Sequence, residues 1–163
     1  MPTNLIITYN RVLELLYDTM SKNVASLRGV FNRDFGQAPA PLFLKAPVHP
    51  TPAEGQDALG RLFHHLTTVV TDERTKKREF ESERAIRIHW IRYHLELQCP
   101  TKPLVFKVED ESRIYILDQT ERYVIVLEPL KRVQAYYLLT AYRLEPGNYK
   151  KIMKKYEKRG TLL

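Results

Sequence analysis

Hydrophobic residues recur at helical spacing in two segments of the N-terminal part of the chain. The first segment runs from about residue 10 to residue 31, and Gly36 is predicted to cap the end of this helix. The second helix is predicted to begin at Thr51, whose side chain would cap it, with Glu54 completing a capping box. The predicted buried positions are Val12, Leu15, Leu16, Met20, Val24, Leu27 and Phe31 in the first helix, and Leu59, Leu62, Phe63, Leu66, Val69 and Val70 in the second.

Residues 37–52 lie between these helices and contain five prolines. Proline lacks a backbone N–H and disfavours both helix interiors and central strands. The segment is therefore predicted to be a linker or an extended arm. Its apolar triplet Leu42-Phe43-Leu44 is expected to dock on an apolar surface.

The charged segment 72–84 leaves two alternatives open, because it either continues the second helix as a solvated rod or turns into the next helix. That next helix, predicted for residues 82–97, has apolar residues on two nearly opposite sides, which is typical of a helix between two layers. At about 100° per residue, the polar side chains fall into two seams between the apolar sides. One seam holds His89, Arg92 and Glu96, and the other holds Arg87 and His94.

The pattern changes from helical to strand-like at residue 104. Short turn-like separators between the strands predict an antiparallel meander, and a lysine-rich helix follows Gly147. The predicted fold is α+β, with N-terminal helices, a four-stranded antiparallel sheet packed with helices, and a basic C-terminal helix. We expect a helical region at residues 1–71 and a second domain at residues 72–163. The predicted strands cover residues 104–108, 113–117, 123–128 and 134–144.

The last predicted strand is apolar on both faces, which is typical of a central strand covered on each side. Strict alternation places Tyr136, Leu138, Thr140 and Tyr142 on one face. Thr140 and Tyr142 thus bring two hydroxyl groups to one face of an apolar strand. Pattern alone also allows them to be ordinary β-forming residues.

Charge narrows the class of partner. The chain has 163 residues and a formal net charge of +7, and five lysines lie on the final helix. A concentrated positive surface suits a nucleic acid or simply keeps a helix face solvated. The lysines expected to contact RNA are Lys150, Lys151, Lys154, Lys155 and Lys158.

Cysteine content and hydropathy indicate the compartment. Cys99 is the only cysteine, so a reducing environment is the simplest inference. The N-terminal residues do not resemble a signal peptide, and the sequence has no apolar run of membrane-spanning length. We therefore expect a cytoplasmic protein without a membrane partner.

The sequence patterns of several kinds of catalysis are absent. The five histidines form no His-Glu-x-x-His motif and the chain has no cysteine pair, so we expect no metal site. Cys99 lies in no nucleophile motif. The sequence also lacks a phosphate-binding glycine loop and a dinucleotide fingerprint, so we expect no cofactor.

The remaining candidate is acid–base catalysis without a metal, assisted by basic side chains. Cleavage of RNA without a metal needs a proton-transfer group, cations or hydroxyls that hold the phosphate, and an aromatic surface for a base. His89, Arg87, Arg92, Thr140 and Tyr142 would supply these groups if the helix at 82–97 packs beside the last strand. The alternative for His89 is a partly buried structural histidine.

Two motifs resemble a known group of proteins. They are Arg84-x-x-Arg87-Ile-x-Trp-Ile and Leu138-x-Thr-Ala-Tyr142, followed by the lysine-rich helix. The segment from about residue 78 to 159 is similar to the phage- and mobile-element-associated branch of the barnase–EndoU–colicin–RelE (BECR) superfamily of toxin-type nucleases. This resemblance implies helices followed by a four-stranded antiparallel sheet, and a metal-independent ribonuclease activity on tRNA or another cellular RNA.

The resemblance also implies a site. Basic and histidine residues of a helix would join a hydroxyl residue and an aromatic residue of the last strand. In this chain they would be Arg87, His89 and Arg92 with Thr140 and Tyr142, and either His89 or His94 would be the acid–base group. The implied reaction is attack of the 2′-hydroxyl on the phosphate.

A second hypothesis is a non-catalytic nucleic-acid-binding or phage accessory protein that retains the fold. A pocket that unites histidine, arginine and threonine would favour the enzyme. N-terminal helices that cover His89 and Arg92 while the lysine face stays open would favour the binding protein. The expected partners are RNA, a neutralising antitoxin or immunity protein, and a second copy bound through the N-terminal helices.

Overall fold

A computed structural model of the chain describes residues 11–37, 39–55, 57–98 and 102–160. The predictions for Asn10 and Cys99 lie outside the described residues. The helices are α1 (Met20–Phe31), α2 (Ala58–Thr67), α3 (Ser82–Ala85), α4 (Trp90–Leu95) and α5 (Pro146–Glu157), with a π-helical turn at Asn32–Gln37 and a 3₁₀ turn at Glu109–Glu111. The strands are β1 (Leu42–Phe43), β2 (Ala46–Pro50), β3 (Thr68–Asp72), β4 (Lys77–Phe80), β5 (Leu104–Val108), β6 (Arg113–Asp118), β7 (Tyr123–Pro129) and β8 (Tyr136–Arg143).

The α+β prediction is confirmed, but the sheet is larger than expected. Strands β5 to β8 form the predicted antiparallel meander. They belong to a mixed six-stranded sheet with the order β1-β2-β8-β7-β6-β5, and β3 and β4 form a separate two-stranded sheet. Among the described residues, no helix combines the length and apolar character needed to cross a membrane.

The two added strands come from the proline-rich segment, which is therefore an integral part of the sheet rather than a free arm. Strand β2 pairs in parallel with β8, and Val48 lies opposite Tyr136. Pro50 is the last residue of β2, so the N–H that it lacks falls at the end of the ladder. The docking predicted for the apolar triplet is confirmed for Phe43, which is fully buried with its ring 5.2 Å from that of Tyr136.

The first helix is shorter than predicted. It begins at Met20, where the Thr19 hydroxyl caps it by accepting the Lys22 N–H at 3.3 Å. Residues 11–19 form no helix, and Leu13 instead donates its backbone N–H to the carbonyl of Ile86. Gly36 lies within the π-helical turn and does not adopt the left-handed conformation expected of a glycine cap.

The second helix begins later than predicted and does not continue past residue 67. Asp57 caps it by accepting the N–H of Leu59 at 3.2 Å. The chain then forms the β3–β4 hairpin, so neither alternative for residues 72–84 is correct. The Asp72 side chain accepts the N–H groups of Arg74 and Thr75, which folds the turn.

The helix predicted for residues 82–97 is broken into α3 and α4. The connection between them uses backbone hydrogen bonds to the third preceding residue, such as Trp90 N–H to the carbonyl of Arg87 at 2.9 Å. This winding advances the side chains by about 120° per residue instead of about 100°. The two predicted polar seams are therefore wrong, and Ile88, His89, Trp90 and Ile91 are all buried.

Two hydrophobic cores cover the two faces of the sheet. The larger core packs α1, α2, α3 and α4 against one face, and it unites Phe31, Phe63 and Leu66 with Ile116 and Ile125. The smaller core packs α5 against the other face. The larger core thus combines residues from both sides of the predicted boundary at residue 71, and that boundary falls within β3.

Strand β8 changes the direction of its side chains at a β-bulge. Leu138 lies opposite Leu127, but Thr140 lies opposite Val126, so one extra residue, Leu139, is inserted into β8. Before the bulge, the even-numbered side chains face the larger core, as the burial of Leu138 shows. After it they face α5, because Val126 belongs to the core beneath α5. The prediction of one face for these side chains is therefore wrong.

A buried hydrogen-bonded pair ties α4 to the end of β6. His94 and Asp118 are 0% and 1% exposed. The His94 ring lies 2.8 Å from the carbonyl oxygen of Trp90 through Nδ1 and 3.0 Å from the Asp118 carboxylate through Nε2. Both ring nitrogens of His94 are thus engaged by partners inside the protein. His94 is therefore a structural residue inside the protein.

We expect Asp118→Asn to lower the free energy of unfolding by about 2 to 3 kcal/mol at neutral pH, because the buried His94 ring loses its carboxylate partner. Burial opposes ionisation of Asp118, but hydrogen bonds from His94 and from backbone N–H groups bring its pKa below the ordinary value. A depressed pKa in the folded state stabilises the protein above about pH 4 and does so less as pH falls through the folded pKa. Urea unfolding of both proteins across this pH range should show the difference shrinking in acid.

The matched control is Asp110→Asn, at an exposed position of the 3₁₀ turn, which should change stability by less than about 0.5 kcal/mol. Equal stability of Asp118→Asn and the wild type at neutral pH would contradict the structural role of the pair.

Candidate functional site

The structure does not bring the predicted catalytic residues into one pocket. His89 is 2% exposed and lies in the layer of α3 and α4, against the larger core. Its ring centroid lies 6.4 Å from that of Trp90. Because RNA cannot reach a side chain buried to this extent, the position of His89 resembles that of a structural histidine. Its catalytic role is a prediction that the geometry does not support.

The two predicted arginines form contacts within the protein. Arg87 donates to the carbonyl oxygen and the carboxylate of Glu83 at 2.6 and 2.9 Å, and its guanidinium lies 5.3 Å from the centre of the Trp90 ring. Arg92 donates to Glu96 at 2.6 Å and to the backbone carbonyl of Asp34 at 2.5 Å. Both side chains thus fasten the layer of α3 and α4, and Arg92 ties it to the N-terminal region.

Thr140 and Tyr142 line a cleft on the opposite face of the sheet, which we call the α5 cleft. It lies between β6, β7, β8 and α5, and has a volume of about 310 Å³. The bulge at Leu139 turns both hydroxyl residues toward it. The lining side chains are Arg113, Tyr115, Val126, Leu139, Thr140, Tyr142, Asn148, Lys151, Ile152 and Lys155.

The chemistry of the α5 cleft is that of an anion site. Three cationic side chains, three hydroxyl groups and one amide surround a floor of apolar residues. Such donors match the oxygen atoms of a phosphate group.

One carboxylate enters this positive surface. Glu111 accepts hydrogen bonds from Tyr115 Oη at 2.5 Å and from Lys155 Nζ. Burial acts against the Glu111 charge, but both contacts bring the pKa of Glu111 below its ordinary value. Burial and the same carboxylate raise the pKa of Tyr115. Lys155 is held as a cation, since these hydrogen bonds outweigh its burial and raise its pKa.

The lysines of α5 form two rows. Lys151 and Lys155 are one helical turn apart and line the cleft. Lys150, Lys154 and Lys158 repeat at the same spacing on the exposed side of the helix. The five predicted RNA contacts therefore divide into an inner pair beside the cleft and an outer row toward solvent.

A second cleft, which we call the β8-end cleft, adjoins the first and shares Tyr142 and Asn148 with it. It has a volume of about 380 Å³. Arg84 lies 5.3 Å from the centre of the Tyr142 ring, and it also donates to the carbonyls of His65 and Thr68 at 3.1 Å. Tyr142 is therefore held in place between the two clefts.

Sequence reasoning missed Arg113, Tyr115, Asn148 and Glu111. A signal for two of them existed, because alternation along β6 puts Arg113 and Tyr115 on one face. Without knowledge of the bulge, no pattern joined that face to Thr140. Within the described ranges, no group of three or more His, Cys, Asp or Glu side chains is arranged to hold a metal ion.

Comparison with protein-family models, with curated proteins and with solved structures found no match for this chain.

The placement of these residues predicts opposite outcomes for two substitutions. His89→Ala should lower the free energy of unfolding by about 2 to 3 kcal/mol, because it leaves a cavity in a packed layer. Thr140→Val should change it by less than about 1 kcal/mol, because the side chain is partly exposed and its replacement leaves no buried cavity. Urea unfolding measures both values.

His64→Ala, at an exposed position of α2, is the control for loss of a histidine and should be close to the wild type. A His89→Ala protein as stable as the wild type would show that His89 is not part of the packing and would restore it as a candidate for chemistry.

Proposed function

We propose that this protein is a non-catalytic RNA-binding module that holds the sugar–phosphate backbone of single-stranded RNA in the α5 cleft. The observation that carries the proposal is the division of the basic and histidine residues between the two faces of the sheet. His89 is buried and Arg92 is bonded to the backbone of Asp34, whereas four of the five lysines on the α5 side are exposed.

The charges of the cleft fit a polyanion. Arg113, Lys151 and Lys155 line it, and the outer row of lysines continues the positive surface beyond it. Lysine and arginine contacts to phosphate dominate affinity for nucleic acids and carry no sequence information. We therefore expect tight, salt-dependent binding with little preference for sequence.

The aromatic residues favour a single strand over a duplex. The Tyr142 ring lies where the α5 cleft and the β8-end cleft meet, and Arg84 holds it there. Unpaired bases stack on such rings, and stacking is worth about 1 to 3 kcal/mol per base. A base of the bound strand would stack on Tyr142 while its phosphate lies at Lys151 and Lys155. The sequence motifs Arg84-x-x-Arg87-Ile-x-Trp-Ile and Leu138-x-Thr-Ala-Tyr142 support two further parts of the proposal. These are a preference for RNA over DNA and membership of the BECR superfamily.

The metal-independent ribonuclease is the second candidate, and the contact of Tyr115 with Glu111 and Lys155 favours it. Glu111 would accept the proton of the 2′-hydroxyl as its oxygen attacks phosphorus, and Tyr115 would protonate the departing 5′-oxygen. The products would be a 2′,3′-cyclic phosphate and a 5′-hydroxyl end. This candidate ranks second because the lowered pKa of Glu111 makes it a weak base and the raised pKa of Tyr115 makes it a weak acid.

We expect the double substitution Lys151→Gln and Lys155→Gln to weaken binding of a fluorescent single-stranded RNA about tenfold or more. The slope of log affinity against log salt should fall by about one to two, because two phosphate contacts are lost. Fluorescence anisotropy at several salt concentrations measures both quantities, with DNA of the same sequence as a comparison.

The matched control is Lys22→Gln with Lys76→Gln, which removes two exposed lysines on other elements and the same total charge. Equal losses in both double variants would mean that only net charge matters and would refute the cleft as the RNA site. Failure of the wild-type protein to bind RNA at low salt would refute the function itself.

Cleavage is tested with total RNA in EDTA. We expect the wild-type protein, shown to be folded, to leave the RNA intact, since neither proton-transfer group has a suitable pKa. Cleavage that disappears in Tyr115→Phe but persists in His89→Phe would overturn the non-catalytic proposal. It would establish the ribonuclease with its site in the α5 cleft.

A further inference from the structure

A third cleft, which we call the α2 cleft, lies on the other side of β8 and is not part of the proposed RNA site. Strand β2 pairs with β8 only as far as Pro50 opposite Leu138. In the described part of the chain, no strand pairs with β8 on that side from Leu139 onward. The cleft opens there, between α2 and the uncovered edge, with a volume of about 190 Å³.

The α2 cleft has an apolar floor and a polar rim. Leu62, Leu138 and Leu139 form the floor, and Thr51, Arg61 and His65 stand around it. Leu139 also lines the α5 cleft. The extra residue of the bulge therefore separates two clefts that meet at one edge of β8.

Three arginines near the α2 cleft form no ion pair with a described carboxylate. They are Arg61, Arg78 and Arg84. Arg78 and Arg84 donate instead to the backbone carbonyls of His65 and Thr68 at 2.7 to 3.2 Å, where α2 ends. Arg61 is exposed and lines the cleft itself. These cations favour an anionic ligand.

The pKa of the His65 imidazole reflects this positive charge. Burial lowers its pKa, and the nearby Arg78, Arg84, Arg61 and His64 lower it further, to about 4. At neutral pH the ring is therefore uncharged and has one hydrogen-bond donor and one acceptor. A neutral ring of this kind can bind the edge of a base or a ribose hydroxyl.

We infer that the α2 cleft is a second nucleotide subsite, which binds one nucleotide of the strand held in the α5 cleft. The base would lie on the leucine floor beside His65, and its phosphate would contact Arg61. This inference rests on the proposed RNA binding, because the two clefts share Leu139 and one strand can pass from one to the other over the open edge of β8. The apolar leucine floor suits the face of a planar base, and Arg61 beside it suits the phosphate attached to that base.

The subsite is tested on the whole chain by NMR titration of the His65 ring with AMP, adenosine and inorganic phosphate. We expect AMP to shift the His65 resonances and to raise the pKa of His65 above about 5, because a phosphate dianion offsets the arginines. Adenosine and phosphate should each bind at least about tenfold more weakly than AMP, since each makes half of the contacts. Phosphate binding as tightly as AMP would overturn the nucleotide assignment, and no response of His65 to AMP would overturn the subsite.

A substitution of Arg61 tests whether the bound RNA strand uses this subsite. Arg61→Gln, at an exposed side chain, should weaken AMP about tenfold and single-stranded RNA about threefold or more, whereas Arg132→Gln in an exposed loop should change neither. If RNA binding depends on Lys151 and Lys155 but not on Arg61, the α5 cleft remains and the subsite is refuted. If AMP binds at His65 but RNA does not bind the protein, the proposed function fails, and with it the assignment of this cleft to an RNA strand.

Discussion

The insertion of Leu139 into β8 is the constraint on which the functional surface of this protein depends. A strand with strict alternation would direct Thr140 and Tyr142 toward the helices of the larger core. One extra residue reverses this direction, so both hydroxyl groups meet α5 and its lysines instead. The same residue lies at the open edge of β8 and lines two clefts. A bulge is a local change of backbone geometry, but here it selects which helix completes the site.

The two faces of the sheet differ in how their charged side chains are paired. On the face covered by α1 to α4, buried charged groups are held by internal partners, as in Asp118 beside His94 and in Arg92 beside Glu96. Removal of charge from water requires such partners. On the α5 face most cations remain in contact with solvent and are free to meet a ligand. This separation favours binding on the α5 face, and the α2 cleft extends the binding surface around the open edge of β8.

Much of the fold could be predicted from the sequence because its signals are local. Strand β5 has the predicted bounds, β6 and β7 differ from theirs by one residue, and β8 is shorter at both ends. Phe43 also docks as expected. The sequence does not show that the proline-rich segment joins the sheet, because β2 pairs with a strand more than eighty residues away in sequence. The sequence also does not reveal the tighter winding before Trp90, because the apolar residues there recur at a spacing that suits a continuous α-helix.

The sequence by itself determined the α+β class, the antiparallel meander and the basic character of the last helix, because hydrophobic periodicity and charge are properties of neighbouring residues. It also singled out Thr140, Tyr142 and the lysines that now line or flank one cleft. Only the tertiary structure decided their neighbours. Packing placed His89 and His94 inside, and the cross-strand register inserted Leu139. Register depends on contacts between distant segments, and a shift of one residue exchanges the two faces of a strand.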